Sequence, residues 1–314
     1  MFSLMGTKKS SIGIFFDSGG ISLARLSARG RRLEDSFFLE HEGSLFEGNY
    51  VDPVFHDSAL FTELLSEALR RLSGFRKSSD VEVHLSMDDS LSSSVILQMA
   101  SLPSKRNEAL MILERKIHDG HPYLKQRELV MDYSIIEDER GSREGLRCLV
   151  TFMLKSFSDA LKTCFSKSGM YPLSLDSAWS ISHVAAGSML GIRDFVLAVI
   201  GRGTITLGVV QSSRIVVFRK ANRGLDEGVS SAVAELERSF EFLRSRNNFQ
   251  SVDLPMFWVT TIECADFQRI QSKLNAELLP LAWKDLGSHL ESLNLNGLSG
   301  GILQASMAAF TGDK

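Results

Sequence analysis

At 314 residues, with 44% hydrophobic and 23% charged content, the chain is long enough for about two domains with sizeable cores. A formal net charge of −3 excludes the basic field expected of a nucleic-acid binder. The three cysteines, Cys148, Cys164 and Cys264, are odd in number and far apart, which excludes a disulfide framework or a zinc cluster and fits reduced, buried thiols.

The N-terminus has a short apolar head followed by Lys8 and Lys9. That is the reverse of signal-peptide order, and it reads as a frayed end in preference to a membrane-surface tail. No apolar run reaches the ~20 residues of a membrane span. Residues 12–16 predict a strand that enters Asp17-Ser18-Gly19-Gly20, and residues 21–26 alternate and return. A turn at 29–32 leads to a third strand, 33–40. Residues 56–73 carry apolar side chains at helical spacing, with Gly74 as the stop. Residues 80–85 alternate as a strand. Asp88-Asp89 reads as a solvated turn after it, in preference to an acid–base pair. An extended stretch, 90–99, closes at Leu102-Pro103. A helix over 105–117 breaks at 118–122. His118 and His121 lie three apart with no third ligand nearby, so a helix-terminal turn is favoured over a metal site. Strands 129–136 and 146–154 flank a charged tip, 137–144. A helix over 156–168 stops at Gly169, and 171–177 is extended.

Residues 195–200 are apolar and end in Gly201-Arg202-Gly203-Thr204. Residues 205–210, a turn at 211–213 and a strand at 215–218 follow. The order of strand, glycine loop, strand, turn, strand thus occurs twice, which predicts an internal duplication. A glycine loop of this kind either lets backbone amides approach a phosphate or is a hairpin turn that needs positive φ. Two such loops facing each other across a cleft would form a phosphate clamp, built from Asp17, Ser18, Gly19 and Gly20 on one side and Gly201, Arg202, Gly203 and Thr204 on the other. A long helix at 225–246, a strand at 256–261, a helix at 266–278 and a last apolar helix at 302–310 complete the chain. Trp179, Trp258 and Trp283 read as core or interface residues.

This layout resembles the PilM branch of the actin-like ATPase superfamily, close to FtsA. The resemblance rests on the lysine-bearing tail, Leu102-Pro103, Glu114 within its helix, Pro122, the pair Asp132-Tyr133, the run Gly169, Pro172 and Asp176, and Arg219 with Gly224. It implies an α/β, actin-like (ribonuclease H-like) pair of duplicated domains with an inserted 1C subdomain of the FtsA/PilM type. The first domain would comprise 1–90 and 170–194, the inserted subdomain 91–169, the second domain 195–287, and the returning C-terminal segment 288–314. The family's first loop reads Asp-Ile-Gly-Ser-Ser-Ser-x-Lys. Aligned without gaps, its acid falls on Phe15, its glycine on Asp17 and its lysine on Ser22; shifted by two, it uses Asp17 and Gly19. In the second loop the acids fall on Val199 and Thr206, while Gly201 and Thr204 remain. The adenine-side Gly-Gly is replaced by Thr260-Thr261.

Those acids hold the magnesium shell and orient the attacking water, and phenylalanine and valine can do neither. The resemblance therefore implies a pseudo-ATPase with vestigial phosphate loops, no catalytic residue, no metal and no required cofactor. Residual ATP–magnesium binding, helped by Arg202, is the disfavoured alternative. The implied function is a cytoplasmic scaffold at the inner membrane in a type IV pilus or related type II secretion platform. Its partners would be the cytosolic N-terminal tail of a PilN-like bitopic protein, other platform proteins and further copies of itself, but not nucleic acid. The tail would lie between the first domain and the inserted subdomain, near 95–102 and the early strands. The competing readings are an active actin-like ATPase or sugar kinase, and an FtsA-like or GspL-like component of division or secretion; the C-terminal residues 310–314 supply neither the amphipathic helix of the first nor the span of the second.

Overall fold

Eight residues buried almost throughout make β1 (Ser10–Asp17) a central strand, and both of its faces are covered. The computed structural model describes residues 9–27, 32–72, 81–139, 145–222, 234–239, 241–242, 254, 256–260, 279–280 and 300–311. Strands β2 (Gly20–Leu26) and β3 (Leu33–Glu40) follow as an antiparallel meander. A two-residue-stranded hairpin, β4 (Phe46–Glu47) and β5 (Val54–Phe55), leads to α1 (Ser58–Arg71). Asp57 caps α1 by accepting from the amides of Ala59 and Leu60. Strand β6 (Val81–Met87) then pairs parallel with β1.

The chain next leaves this sheet. β7 (Ser93–Met99), α2 (Arg106–Gly120), β8 (Leu129–Glu139), β9 (Gly145–Leu154) and α3 (Lys155–Lys167) build a three-stranded sheet of order β7-β9-β8 with flanking helices. It returns through β10 (Ser174–Ser177), which pairs parallel with β6 and completes the order β10-β6-β1-β2-β3. Helix α4 (Ala178–Leu190) is capped by the Ser177 hydroxyl and ends at Gly191, φ 64°.

The second sheet repeats the first. β11 (Phe195–Ile200), β12 (Thr204–Gln211) and β13 (Arg214–Asn222) form a meander, and β14 (Met256–Thr260) pairs parallel with β11, as β6 does with β1. β15 (Leu279–Pro280) lies outside β14. The β12–β13 turn places Ser212 and Ser213 at φ 50° and 63°, the left-handed pair that a tight two-residue hairpin requires. Helix α5 (Gly300–Thr311) packs across β1, β2 and β6. Its backbone lies so close to β1 that a β-carbon on Gly13 would come within 1.7 Å of the Ala305 carbonyl oxygen.

Alternation along β1 divides the core in two. Ile12, Ile14 and Phe16 face α1 and α3, where Phe46, Phe61 and Phe165 surround Phe16 and Phe157 packs on Phe46. Phe15 faces the other way, into a cluster with Trp179, Leu197, Val199 and the alanines of α5.

Several elements differ from expectation. Helix α4 has no counterpart in the sequence reading, because it is apolar or small on every side and carries no amphipathic stripe. The β4–β5 hairpin is too short to leave a periodic signal. Helix α2 runs on through His118 to Gly120, where a break was expected, and His121 is its C-cap. β8 extends into the expected charged tip, as far as Glu139. A 3₁₀ turn, Asp89–Leu91, precedes β7. The tail at 1–8, the turn at 29–31, Gly74, Gly224, Cys264, Trp283 and the helix at 266–278 lie outside the described residues, as does most of the helix expected at 225–246.

Candidate functional site: two facing hairpins and an open-edged groove

The two glycine turns face each other. In the first, Asp17 pairs with Gly20, and the Asp17 carboxylate accepts from the Gly19 amide at 2.8 Å. In the second, Ile200 pairs with Ile205, and the Gly201 amide donates to the Thr204 carbonyl at 2.8 Å. Counting from these pairs, Asp17 corresponds to Gly201, Phe15 to Val199 and Ser22 to Thr206. This internal correspondence is the one that the ungapped alignment of both loops gives. Phe15 and Val199, at the positions where the resemblance calls for acids, are both buried in the same apolar cluster.

The positive-φ glycines are Gly43, Gly48, Gly145, Gly169 and Gly191, none of them in these turns. Close approach explains Gly20 and Gly201 instead. A β-carbon on Gly20 would lie 2.4 Å from the Leu39 carbonyl oxygen and one on Gly201 2.2 Å from Asp88 Oδ2, whereas one on Gly19 would meet only the movable end of Arg202. Ser18, Gly20, Gly203 and Thr204 complete the two turns as predicted, and Thr204 is buried.

The space between the turns holds the protein's own charges. Arg202 Nε stands 3.4 Å from Asp17 Oδ2. Lys220, on β13, reaches over and donates to the carbonyls of Asp89 and Ser92, with its ammonium 5.0 Å from the Tyr50 ring. Asp88 and Asp89 are buried, at 2% and 4% exposure, which corrects the expectation of a solvated turn. Asp89 Oδ1 accepts from the Trp179 amide at 3.2 Å and Asp88 Oδ1 from the Ser90 amide at 2.8 Å; among the described residues Asp88 Oδ2 has no hydrogen-bond partner. Burial pushes Asp17 up to about 6, against the pull of Arg202 and with the help of Asp88. Burial likewise raises Asp89, against the pull of Lys220, and lowers Lys220 to about 8 against the attraction of Asp89 and Asp88.

At the two positions where the resemblance calls for metal-holding acids stand the buried Phe15 and Val199, which supply no metal ligand, and Arg202 lies against Asp17 at the first turn. Among the described residues, no group of three His, Cys, Asp or Glu is arranged to hold a metal ion. His118 and His121 belong to no such group; His121 bonds Tyr123 at 2.8 Å.

Elsewhere a cavity of about 430 Å³ opens between the three-stranded sheet and the first sheet. Residues 130–134 of β8 and 172–177 at β10 line it consecutively. Successive strand residues point to opposite faces, so unbroken lining means that the backbone edges, not one face, open onto the cavity. β8 is an edge strand of its sheet, and β10 of the other. Leu85, Met87, Leu149 and Phe165 form the apolar floor. Residues 95–102 do not line this cavity: β7 lies on the far side of β9 from the β8 edge.

Over 98% of its length the chain superposes on 99% of a chain from the PilM-PilN type IV pilus biogenesis complex, with a TM-score of 0.75 and 13% identity. The fold is actin-like, of the PilM type. A Bacteroides thetaiotaomicron protein with an actin-like ATPase fold (TM-score 0.48, 13% identity, 98% of each chain) and the cytoplasmic domain of EpsL, an inner-membrane component of the Vibrio cholerae type II secretion system (0.43, 12%, 97% and 96%), align more distantly. No family model and no curated protein matches the sequence.

Within this PilM-type fold, Arg219 anchors the helical residues 234–239. It donates to Ser239 Oγ at 3.1 Å and Glu235 Oε1 at 2.9 Å, and lies 5.1 Å from the Phe242 ring. Trp179 fills the space between the sheets, with its indole N–H on the Leu197 carbonyl at 3.3 Å. Cys148 and Cys164 are buried free thiols. Of the charges in this cleft, sequence reading passed over Lys220 and weighed Asp89 only as half of a solvated turn. A lysine in an alternating strand and an aspartate after a strand carry no local signal of burial; only the closing of the two lobes brings them together.

Proposed function

We propose that the chain is a docking scaffold that captures an extended segment of a partner protein along the β8–β10 groove, while its ancestral nucleotide cleft is closed by its own side chains. The observation that carries this reading is the pair of unpaired strand edges facing one apolar cavity. An extended peptide adds to such an edge by main-chain hydrogen bonds and sets its side chains into the pockets on either side. Five residues of β8 edge correspond to roughly 17 Å of extended chain. The PilM-type fold makes the cytosolic N-terminal tail of a PilN-like bitopic protein the preferred partner, in a type IV pilus or type II secretion platform at the cytoplasmic face of the inner membrane. Among the described residues, no helix is long and apolar enough to cross a membrane, which is compatible with peripheral attachment. On this reading residues 1–90 with 170–194 form one lobe, 91–169 an inserted subdomain that supplies the β8 edge, and 195–287 the second lobe, with 288–314 packed back on the first.

The same reading makes the protein a pseudo-ATPase whose phosphate turns, Asp17 to Gly20 and Gly201 to Thr204, are vestigial. Calorimetric titration tests both halves. A PilN-like tail peptide is expected to bind, and Mg-ATP is expected to give no heat at micromolar concentration. Leu173 lines the groove with 65% of its surface exposed, so Leu173→Gln should weaken the peptide without altering stability. Tight, metal-dependent ATP binding would defeat the pseudo-ATPase reading. Peptide affinity indifferent to Leu173→Gln would remove the groove.

A further inference from the structure

Two acidic side chains line the groove. Asp132, on β8, and Asp176, on β10, come from the two facing edges. Burial raises Asp176 above its ordinary range, and the charge of Asp132 raises it further. Asp132 is held by Arg106 of α2, which also lies 5.3 Å from the Tyr133 ring. The Asp176 carboxylate has no hydrogen bond or ion pair among the described residues. The other charged or titratable groups nearby are already committed. Lys162, on α3, pairs with Asp159 at 3.2 Å, and His84 Nδ1 bonds Ser174 Oγ at 3.1 Å. The groove thus offers a half-buried carboxylate, Asp176, and a second, more exposed one, Asp132, held from outside by Arg106, with no uncommitted cation lining it among the described residues.

Resting on the docking reading above, we infer that the segment captured in this groove carries a lysine or arginine side chain that seats between Asp176 and Asp132, flanked by apolar residues that fill the floor. A basic side chain removes the repulsion and gives Asp176 a charge-assisted hydrogen bond in a partly dry site, where such bonds are strongest. An acidic residue at the same place would add a third like charge and be rejected. The apolar floor supplies affinity; the two acids select which segment fits, and in which register.

The test uses the full chain and three N-terminally acetylated, fluorescein-labelled ten-residue peptides, leucine- and isoleucine-rich, that differ only at a central Arg, Gln or Glu. Anisotropy titrations are run at low and high salt. The Arg peptide is expected to bind about tenfold or more tightly than the Gln peptide, the size of one charge-assisted hydrogen bond. The Glu peptide should be weaker still, and raising salt should narrow the gaps. Asp176→Asn should erase the Arg preference and leave the Gln peptide unchanged. Because this substitution removes a repulsive charge, thermal melts should show the variant folded and no less stable than the parent, so a lost preference cannot be unfolding. Equal affinity for Arg and Gln peptides, or an Arg preference that survives in Asp176→Asn, overturns the inference and leaves the groove standing. No binding by any of the three overturns the groove as well.

Discussion

Replacing Asp17 with asparagine should stabilise the protein at neutral pH, although it breaks the ion pair with Arg202. Burial outweighs Arg202 in setting the Asp17 carboxyl, which sits at about 6 against an ordinary 3.8. Between those values the folded protein keeps a proton that the unfolded chain has released. Stability therefore falls as pH rises from about 3.8 to about 6, and the loss is complete above that window. About two pKa units at 1.36 kcal/mol each give a cost on the order of 3 kcal/mol at pH 7. Asparagine retains the oxygen that accepts from the Gly19 amide and never ionises. Arg202, with 38% of its side chain exposed, can return to water. Urea unfolding of the parent and Asp17→Asn at half-unit steps from pH 4 to 8 would give two curves. They should nearly coincide near pH 4 and diverge in favour of the variant until about pH 6.5. A variant that is less stable at pH 7, by a margin independent of pH, would refute the argument and show that Arg202 dominates.

His183 stacks on Trp179 at 5.1 Å, and burial lowers it to about 4. Its contribution runs opposite to that of Asp17: stability is lost as pH falls from about 6.5 towards 4, and the His183→Gln variant should flatten that slope in the same urea series. Gly208→Ala places a β-carbon 2.0 Å from Trp179 Cζ2; it should cost about 1–3 kcal/mol of stability by overpacking, and unchanged stability would mean that the indole can move aside. Lys220→Met leaves the Asp89 and Ser92 carbonyls without their donor and removes the cation that offsets the Asp89 charge. It should destabilise by roughly 1–3 kcal/mol, measured by chemical unfolding at pH 7.

The duplicated strand order was legible before any coordinates, because each copy is a run of alternating or apolar residues broken by glycine, and both strand pairing and turn position follow from that pattern. The absence of acids at Phe15 and Val199 was legible for the same reason: identity at a strand end is a local fact. Why those turns are glycine was not. The sequence allowed phosphate contact or positive φ, and at Gly20 and Gly201 the answer is close approach, by the Leu39 carbonyl of the next strand and by Asp88 across the cleft. Helix α4 escaped because a segment apolar on all sides has no periodicity to read. The groove escaped because its walls come from 130–134 and 172–177, about forty residues apart, and only the return of β10 to the edge of β6 sets them face to face. Local chemistry determined the elements and the apolar identities of Phe15 and Val199 at their strand ends. Which charges would be buried, paired or left waiting in a groove depended on contacts between residues far apart in the chain, and desolvation is a property of those contacts alone.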